Sequence, residues 1–211
     1  MLNKKIIIFI MLVIILICSF FIVKINYKKI NFGNTISSKS VDSIVNNILN
    51  MKSYQADILV KVVSNKNENI YKMKQQNIEE KAYKQVIEEP YELKDMEIVF
   101  RDNKLEIKNN KLNLTKLYEN YKYVSENALI LTSFIKDYNF ELEKELKETE
   151  NEIILEVKIK NELNKYEKYK TLYVDKQTGN PTKLEIKDIS QNVRVYILYN
   201  EIKINSLQEI V

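Results

Sequence analysis

Lys170-Thr-Leu-Tyr-Val-Asp-Lys-Gln-Thr-Gly-Asn-Pro-Thr-Lys-Leu-Glu-Ile186 reads as a strand, a tight turn and a return strand. Leu172 and Val174 alternate with Thr171, Tyr173 and Asp175, and Leu184 and Ile186 alternate with Lys183, Glu185 and Lys187. Period two on both arms is the signature of a half-buried hairpin. Gly179 is one of only two glycines in 211 residues. It supplies the positive φ that a turn needs, and Pro181 sets φ where the return strand begins. Asp175, Thr178, Gly179 and Pro181 are thus the signature residues of this turn.

The same alternation extends outward in both directions. Towards the N-terminus, Ala56, Ile58, Val60 and Val62 alternate with Asp57, Leu59 and Lys61. Strands are expected over 69–77 and 81–88, the second closed by Pro90, which cannot donate to a ladder. Glu97-Ile-Val-Phe-Arg101, Asp102-Asn103 and Lys104-Leu-Glu-Ile-Lys108 read as a hairpin, with Asp-Asn suited to a primed turn. Strands resume at 140–147, 151–160, 167–175, 182–189 and 193–204. Short polar turns join them, so the sheet is antiparallel, and eight to eleven strands would curl. Two helices are available to cover its hollow side. Ser40 to Met51 carries its own cap, with an apolar stripe of Val41, Ile44, Val45, Ile48 and Leu49. Leu117 to Asn139 reads as irregular and helical, with Ser125 as a candidate cap and Leu131, Phe134, Ile135 and Tyr138 on one face.

Residue types exclude much chemistry. The chain has no histidine, one cysteine and two glycines. Histidine-based triads, histidine-based metal sites, intrachain disulfides and Gly-rich phosphate loops are therefore absent. Paired carboxylates are the one common catalytic device left, and the charged residues read instead as a solvated surface. No catalytic residue, cofactor or metal ligand is assigned. The net charge of +4 comes from the N-terminus, where Lys4, Lys5, Lys24, Lys28 and Lys29 stand without an acid; the remainder is near −1. Interleaved, near-neutral charge argues against nucleic-acid binding. The tyrosines read as half-buried strand residues, with a sugar-stacking platform as the alternative.

Ile6 to Val23 is an uncharged run of 18 residues. As a helix it spans about 27 Å, the thickness of a bilayer core. No Ala-x-Ala cleavage pattern follows, so residues 1–24 read as an uncleaved signal anchor. A lipoprotein-type signal with lipid on Cys18 is the competing reading. Ile17 before it and Ser19-Phe-Phe-Ile-Val23 after it depart from that pattern. Residues 25–39 read as a polar tether, and 40–211 as the folded body, placed outside the membrane.

The series from Lys52-Ser-Tyr-Gln-Ala-Asp57, through Pro90 and a central helix, to Tyr173-Val-Asp-Lys-Gln-Thr-Gly-Asn-Pro-Thr-Lys-Leu184 resembles the LolA/LppX/RseB group of lipoprotein-carrier-like domains. Tyr54, Pro90, Val174, Asp175, Thr178, Gly179 and Pro181 carry the match. Within that group it is most similar to the clostridial germination lipoproteins of GerS type, through Ile87-Glu-Glu-Pro-Tyr-Glu-Leu93, the segment 109–123 and Asn127-Ala-Leu-Ile-Leu-Thr-Ser-Phe-Ile135. The resemblance implies an α+β fold: a curled antiparallel sheet, or half-open β-barrel, covered by two or three helices, behind an N-terminal transmembrane helix. It further implies a non-enzymatic, membrane-anchored protein that binds and supports a zinc-dependent N-acetylmuramoyl-L-alanine amidase of CwlD type. That amidase modifies spore cortex peptidoglycan for germination. The body would lie in the forespore intermembrane space or at the surface of a spore-forming Gram-positive bacterium. The alternative is a carrier of lipid or lipoprotein in an apolar cavity. Edge strands are one route to a partner, and a homodimer stays open.

Overall fold

The computed structural model describes residues 40–64, 66–78, 81–121, 127–160, 164–207 and 210. The expected anchor, the tether, Cys18 and the candidate cap Ser125 lie outside them. No helix among the described residues is long and apolar enough to cross a membrane.

Among the described residues, eleven strands form one antiparallel sheet. They are β1 (Ser53–Val63), β2 (Glu68–Ile78), β3 (Ala82–Glu89), β4 (Met96–Arg101), β5 (Lys104–Asn109), β6 (Leu114–Tyr118), β7 (Lys144–Glu148), β8 (Glu152–Lys158), β9 (Tyr169–Asp175), β10 (Pro181–Lys187) and β11 (Val193–Ile204). The spatial order is β6-β5-β4-β3-β2-β1-β11-β10-β9-β8-β7. Two meanders thus meet at the centre, where β1 pairs β11 with Tyr54 opposite Ile204 and Val62 opposite Val195. Register shifts interrupt β1–β11 at Asp57/Ile58, β2–β3 at Lys72/Met73, β10–β11 at Ile186/Lys187 and β9–β10 at Pro181/Lys183. Each bulge adds local twist and bend, and together they curl the sheet. Its ends, β6 and β7, are not bonded to each other, so the curl stays open.

Two α-helices, α1 (Val41–Leu49) and α2 (Leu131–Phe140), cover the concave face, and a short 3-10 turn spans Tyr91–Leu93 after the cis peptide at Glu89–Pro90. Ser40 caps α1, its hydroxyl accepting from the Ser43 amide at 3.2 Å, while Asp42 faces the positive helix end. Ile44 and Ile48 of α1 join Tyr54, Ile58, Val60, Leu155, Leu172, Leu184 and Ile197 in one core. Asp102 and Asn103 both have positive φ, the geometry of a primed two-residue hairpin turn.

Two boundaries differ from the sequence reading. The irregular segment from Leu117 begins with a strand, β6, starting at Leu114. The strand expected from residue 140 begins only at Lys144. Both are edge strands. Their side chains are almost all exposed, so they lack the alternation of buried and exposed positions that marks a strand in sequence.

Candidate functional site

The concave face is where this fold can hold something, and α2 occupies much of it. Four of its five buried residues, Leu131, Phe134, Ile135 and Tyr138, are apolar, yet its N-terminus rests on a polar ladder. No side chain caps it, because its N-cap is Ile130. Tyr54 of β1 takes that role: its hydroxyl accepts from the Leu131 amide at 3.2 Å and donates to Gln75 Oε1 at 3.0 Å. Gln75 Nε2 donates to the Leu129 carbonyl and to Gln85 Oε1, both at 3.3 Å. The Tyr83 hydroxyl donates to Gln85, and the Thr132 hydroxyl donates to Asn77 Oδ1 at 3.1 Å. All five strand residues are buried, so the ladder satisfies groups that water cannot reach. Burial pushes the phenols of Tyr54 and Tyr83 well above the usual tyrosine value, so both stay neutral donors.

The hairpin β9–β10 holds both helices. At its root, Lys170 is 1% exposed, and its ammonium reaches Asp137 Oδ2 of α2 at 2.6 Å, Glu167 Oε1 at 2.9 Å and Ser133 Oγ of α2 at 3.1 Å. At its tip, Gly179 has φ +75, and a Cβ built there would lie 3.8 Å from Ile44 of α1. Asp175 Oδ1 accepts from the amide and the hydroxyl of Thr178, each at 2.7 Å, and the Gly179 amide donates to the Asp175 carbonyl at 2.8 Å. Pro181 opens β10 and is buried.

What the helices leave open is a hollow of about 740 Å³ at one end of the sheet. Val62, Leu129, Ile186, Val195 and Tyr166 line it, and Arg194 stands at its rim, bound to Asp188 at 2.7 Å. The size suits a small ligand, and the walls offer apolar contact rather than reactive groups.

The convex face carries the charge. Glu156 accepts from Thr171 Oγ1 at 2.7 Å and from Lys187 Nζ at 2.9 Å. Glu185, beside it, binds Lys183 at 2.7 Å and accepts from the Tyr173 hydroxyl at 3.1 Å. Burial would raise the Glu156 carboxyl, but the Thr171 and Lys187 bonds outweigh it and hold the group below the usual value. A general acid needs the opposite shift. Burial and the neighbouring Glu185 push the Tyr173 phenol up to about 12. Among the described residues, no group of three or more acids or cysteines is placed to hold a metal ion.

Among the described residues, the tyrosines are divided between the two sides of the sheet. Tyr83 and Tyr199 lie in the core, whereas Tyr173 and Tyr196 face outward beneath Lys183 and Lys61. Sequence reasoning missed Gln75, Gln85, Asn77 and Lys170. Polar residues at core-facing positions of period-two strands are the signal that would have found them.

A family model described as "Sporulation protein YdcC-like" matches residues 3–209. Among solved structures, the CwlD amidase from Clostridioides difficile in complex with the GerS lipoprotein gives a match, through GerS, at 26% identity. That match covers 80% of this chain and 95% of that one, with a TM-score of 0.50. An uncharacterized conserved protein from Thermus thermophilus matches at 11% identity, covering 80% and 89% of the two chains, with a TM-score of 0.50. The LolA superfamily protein NE2245 from Nitrosomonas europaea matches at 13% identity over 79% and 94%, with a TM-score of 0.41. No curated protein matches the chain.

Proposed function

Because the chain belongs to the family of YdcC-like sporulation proteins, we propose that it is a membrane-tethered binding protein that partners a cell-wall amidase during sporulation. The observation that carries this reading is the match to GerS, a protein solved in complex with the CwlD amidase, over 95% of its length. The body acts by contact and does no chemistry of its own. The carboxylates of the convex face support that, since Glu185 is bound by Lys183 and Glu156 by Lys187, which helps hold the Glu156 carboxyl below its usual value. Residues 1–24 anchor the chain, 25–39 hold the body off the bilayer, and the body faces the extracytoplasmic side where cortex is built. Full-length chain in detergent, mixed with a sporulation amidase of the same organism, is expected to co-purify with it. Failure to form that complex, with the body folded, counts decisively against the proposal.

The hollow of about 740 Å³ favours a second reading, a carrier that shelters an acyl chain. It predicts lipid in organic extracts of the purified protein. Mass spectrometry that finds none, from protein prepared without delipidation, removes it.

A further inference from the structure

Two concavities on the convex face are lined by the same two rows of side chains. Followed through the strand register, one row runs Lys203, Gln55, Gln76, Lys84, Val99 and Glu106, across β11, β1, β2, β3, β4 and β5. The other runs Glu201, Asp57, Lys74, Val86, Glu97 and Lys108 across the same strands. Residues between the rows, such as Ala56, Gln75 and Gln85, are buried. The first concavity, of about 360 Å³, lies over β11 to β3, and the second, of about 120 Å³, over β3 to β5. Lys84 lines both, so they join into one trough about 24 Å long at the usual strand spacing. Bulges flank its wider end. In β11, Asn200 is the extra residue between Tyr199 and Glu201, and in β3, Glu88 is the extra residue between Ile87 and Glu89. Such bulges bend a strand and re-aim its side chains.

The rows hold four lysines and four acids, so neither a polyanion nor a polycation is their complement. Their pairing is uneven. Over β3 to β5 the ions meet one another, Lys84 and Glu97 at 3.8 Å and Lys108 and Glu106 at 3.0 Å. Over β11 and β1 they do not. Asp57 and Glu201 stand directly opposite each other, a like-charge pair that costs stability. Lys74, opposite Asp57 on β2, is held by Glu88 at 2.8 Å. Among the described residues, Asp57, Glu201 and Lys203 make no ion pair. An incoming ammonium relieves the two carboxylates, and Lys203, one row away at about 7 Å, is placed for a carboxylate on the same ligand. Gln55 and Gln76, between Lys203 and Lys84, offer amide hydrogen bonds. Val86 and Val99 give an apolar patch where the two concavities meet.

We propose that this trough binds peptidoglycan itself, with a peptide stem over β11, β1 and β2 and the attached sugar over β3 and β4. An uncrosslinked stem carries both an ammonium and carboxylates, and the sugar beside it is uncharged, which matches the unpaired ions at one end and the self-paired ions at the other. The inference rests on the cell-wall role proposed above and deepens it: the body holds the amidase's polymer as well as the amidase.

The test sediments full-length chain in detergent with purified cortex peptidoglycan, in the absence of amidase. The chain is expected to pellet with the polymer and to stay in solution without it. Acetylating the free amines of the polymer should lower retention by about fivefold or more. The double variant Asp57→Asn, Glu201→Gln should bind native polymer as weakly and lose its sensitivity to acetylation. Its urea midpoint should equal or exceed the parent's, because a like-charge pair is removed. Lys203→Gln should also weaken retention, and Lys147→Gln, on β7, should not. The proposal is overturned if the chain stays in solution, if acetylated polymer retains it equally, or if the double variant pellets like the parent. It is also overturned if the double variant loses the amidase but keeps the polymer, because the face then serves the amidase. A chain that binds amidase and not polymer removes this inference and leaves the proposed function standing; one that binds polymer and not amidase does the reverse.

Discussion

Tyr54 and Tyr199 sit on neighbouring strands, both buried, with hydroxyls in opposite situations. The Tyr54 hydroxyl accepts from the first amide of α2 and donates to Gln75. The Tyr199 hydroxyl has no partner among the described residues. Removing an oxygen that serves two buried groups leaves both unsatisfied, whereas removing an unpaired one relieves a desolvation cost. Tyr54→Phe should therefore destabilise the body by about 1–3 kcal/mol, and Tyr199→Phe should change it by less than about 1 kcal/mol or raise it. Urea midpoints of the two variants check this; equal losses would contradict it. Gly179 gives a second contrast. A Cβ there would meet Ile44 at an ordinary 3.8 Å, so the space is available and the strain lies in φ +75. Gly179→Ala should cost about 1–2 kcal/mol, and Gly179→Asn less, because asparagine tolerates the left-handed region. The same midpoints measure it, and an alanine variant as stable as the parent would show that the turn relaxes.

At the scale of elements, the hairpin β9–β10 fixes the helices to the sheet. Lys170→Met leaves Asp137 and Glu167 without their shared cation. The expected loss is about 2 kcal/mol, modest for a buried pair because both acids are about a quarter exposed. Amides of α2 should exchange faster while those of β1 and β2 hold; uniform protection would contradict the link. The hairpin also sets an acid limit. The Thr178 hydroxyl and amide hold the Asp175 carboxyl below its usual value. Asp188 is held down as well: burial would raise it, but the Asn192 amide and the Arg194 side chain outweigh that. A depressed carboxyl contributes stability above its unfolded value and loses it as pH falls through the folded one. Thermal midpoints should thus be flat near neutrality and drop below about pH 4, less steeply in Asp175→Asn. Matching slopes would exclude Asp175 as a source. The strands from β1 to β5 and from β8 to β11 were legible because one face of each is buried and period two follows from that. β6 escaped notice because its neighbours give it no buried face. Gln75, Gln85 and Asn77 look like surface residues until α2, whose seat no local pattern declares, closes over them.

At the scale of the molecule, two meanders joined at β1–β11 leave two open edges and an apolar hollow among the described residues. The fold class could be read from alternation and turn residues. The surface a partner meets could not, because contact with another protein selects shape and charge across strands distant in sequence. Edges, hollow and ion-paired convex face suit a protein that works by docking. The most direct measurement is amidase turnover on spore cortex peptidoglycan, with and without the full-length chain. The rate is predicted to rise with added chain and saturate as the complex forms. An unchanged rate at every concentration, with no complex in the same mixture, would contradict the account.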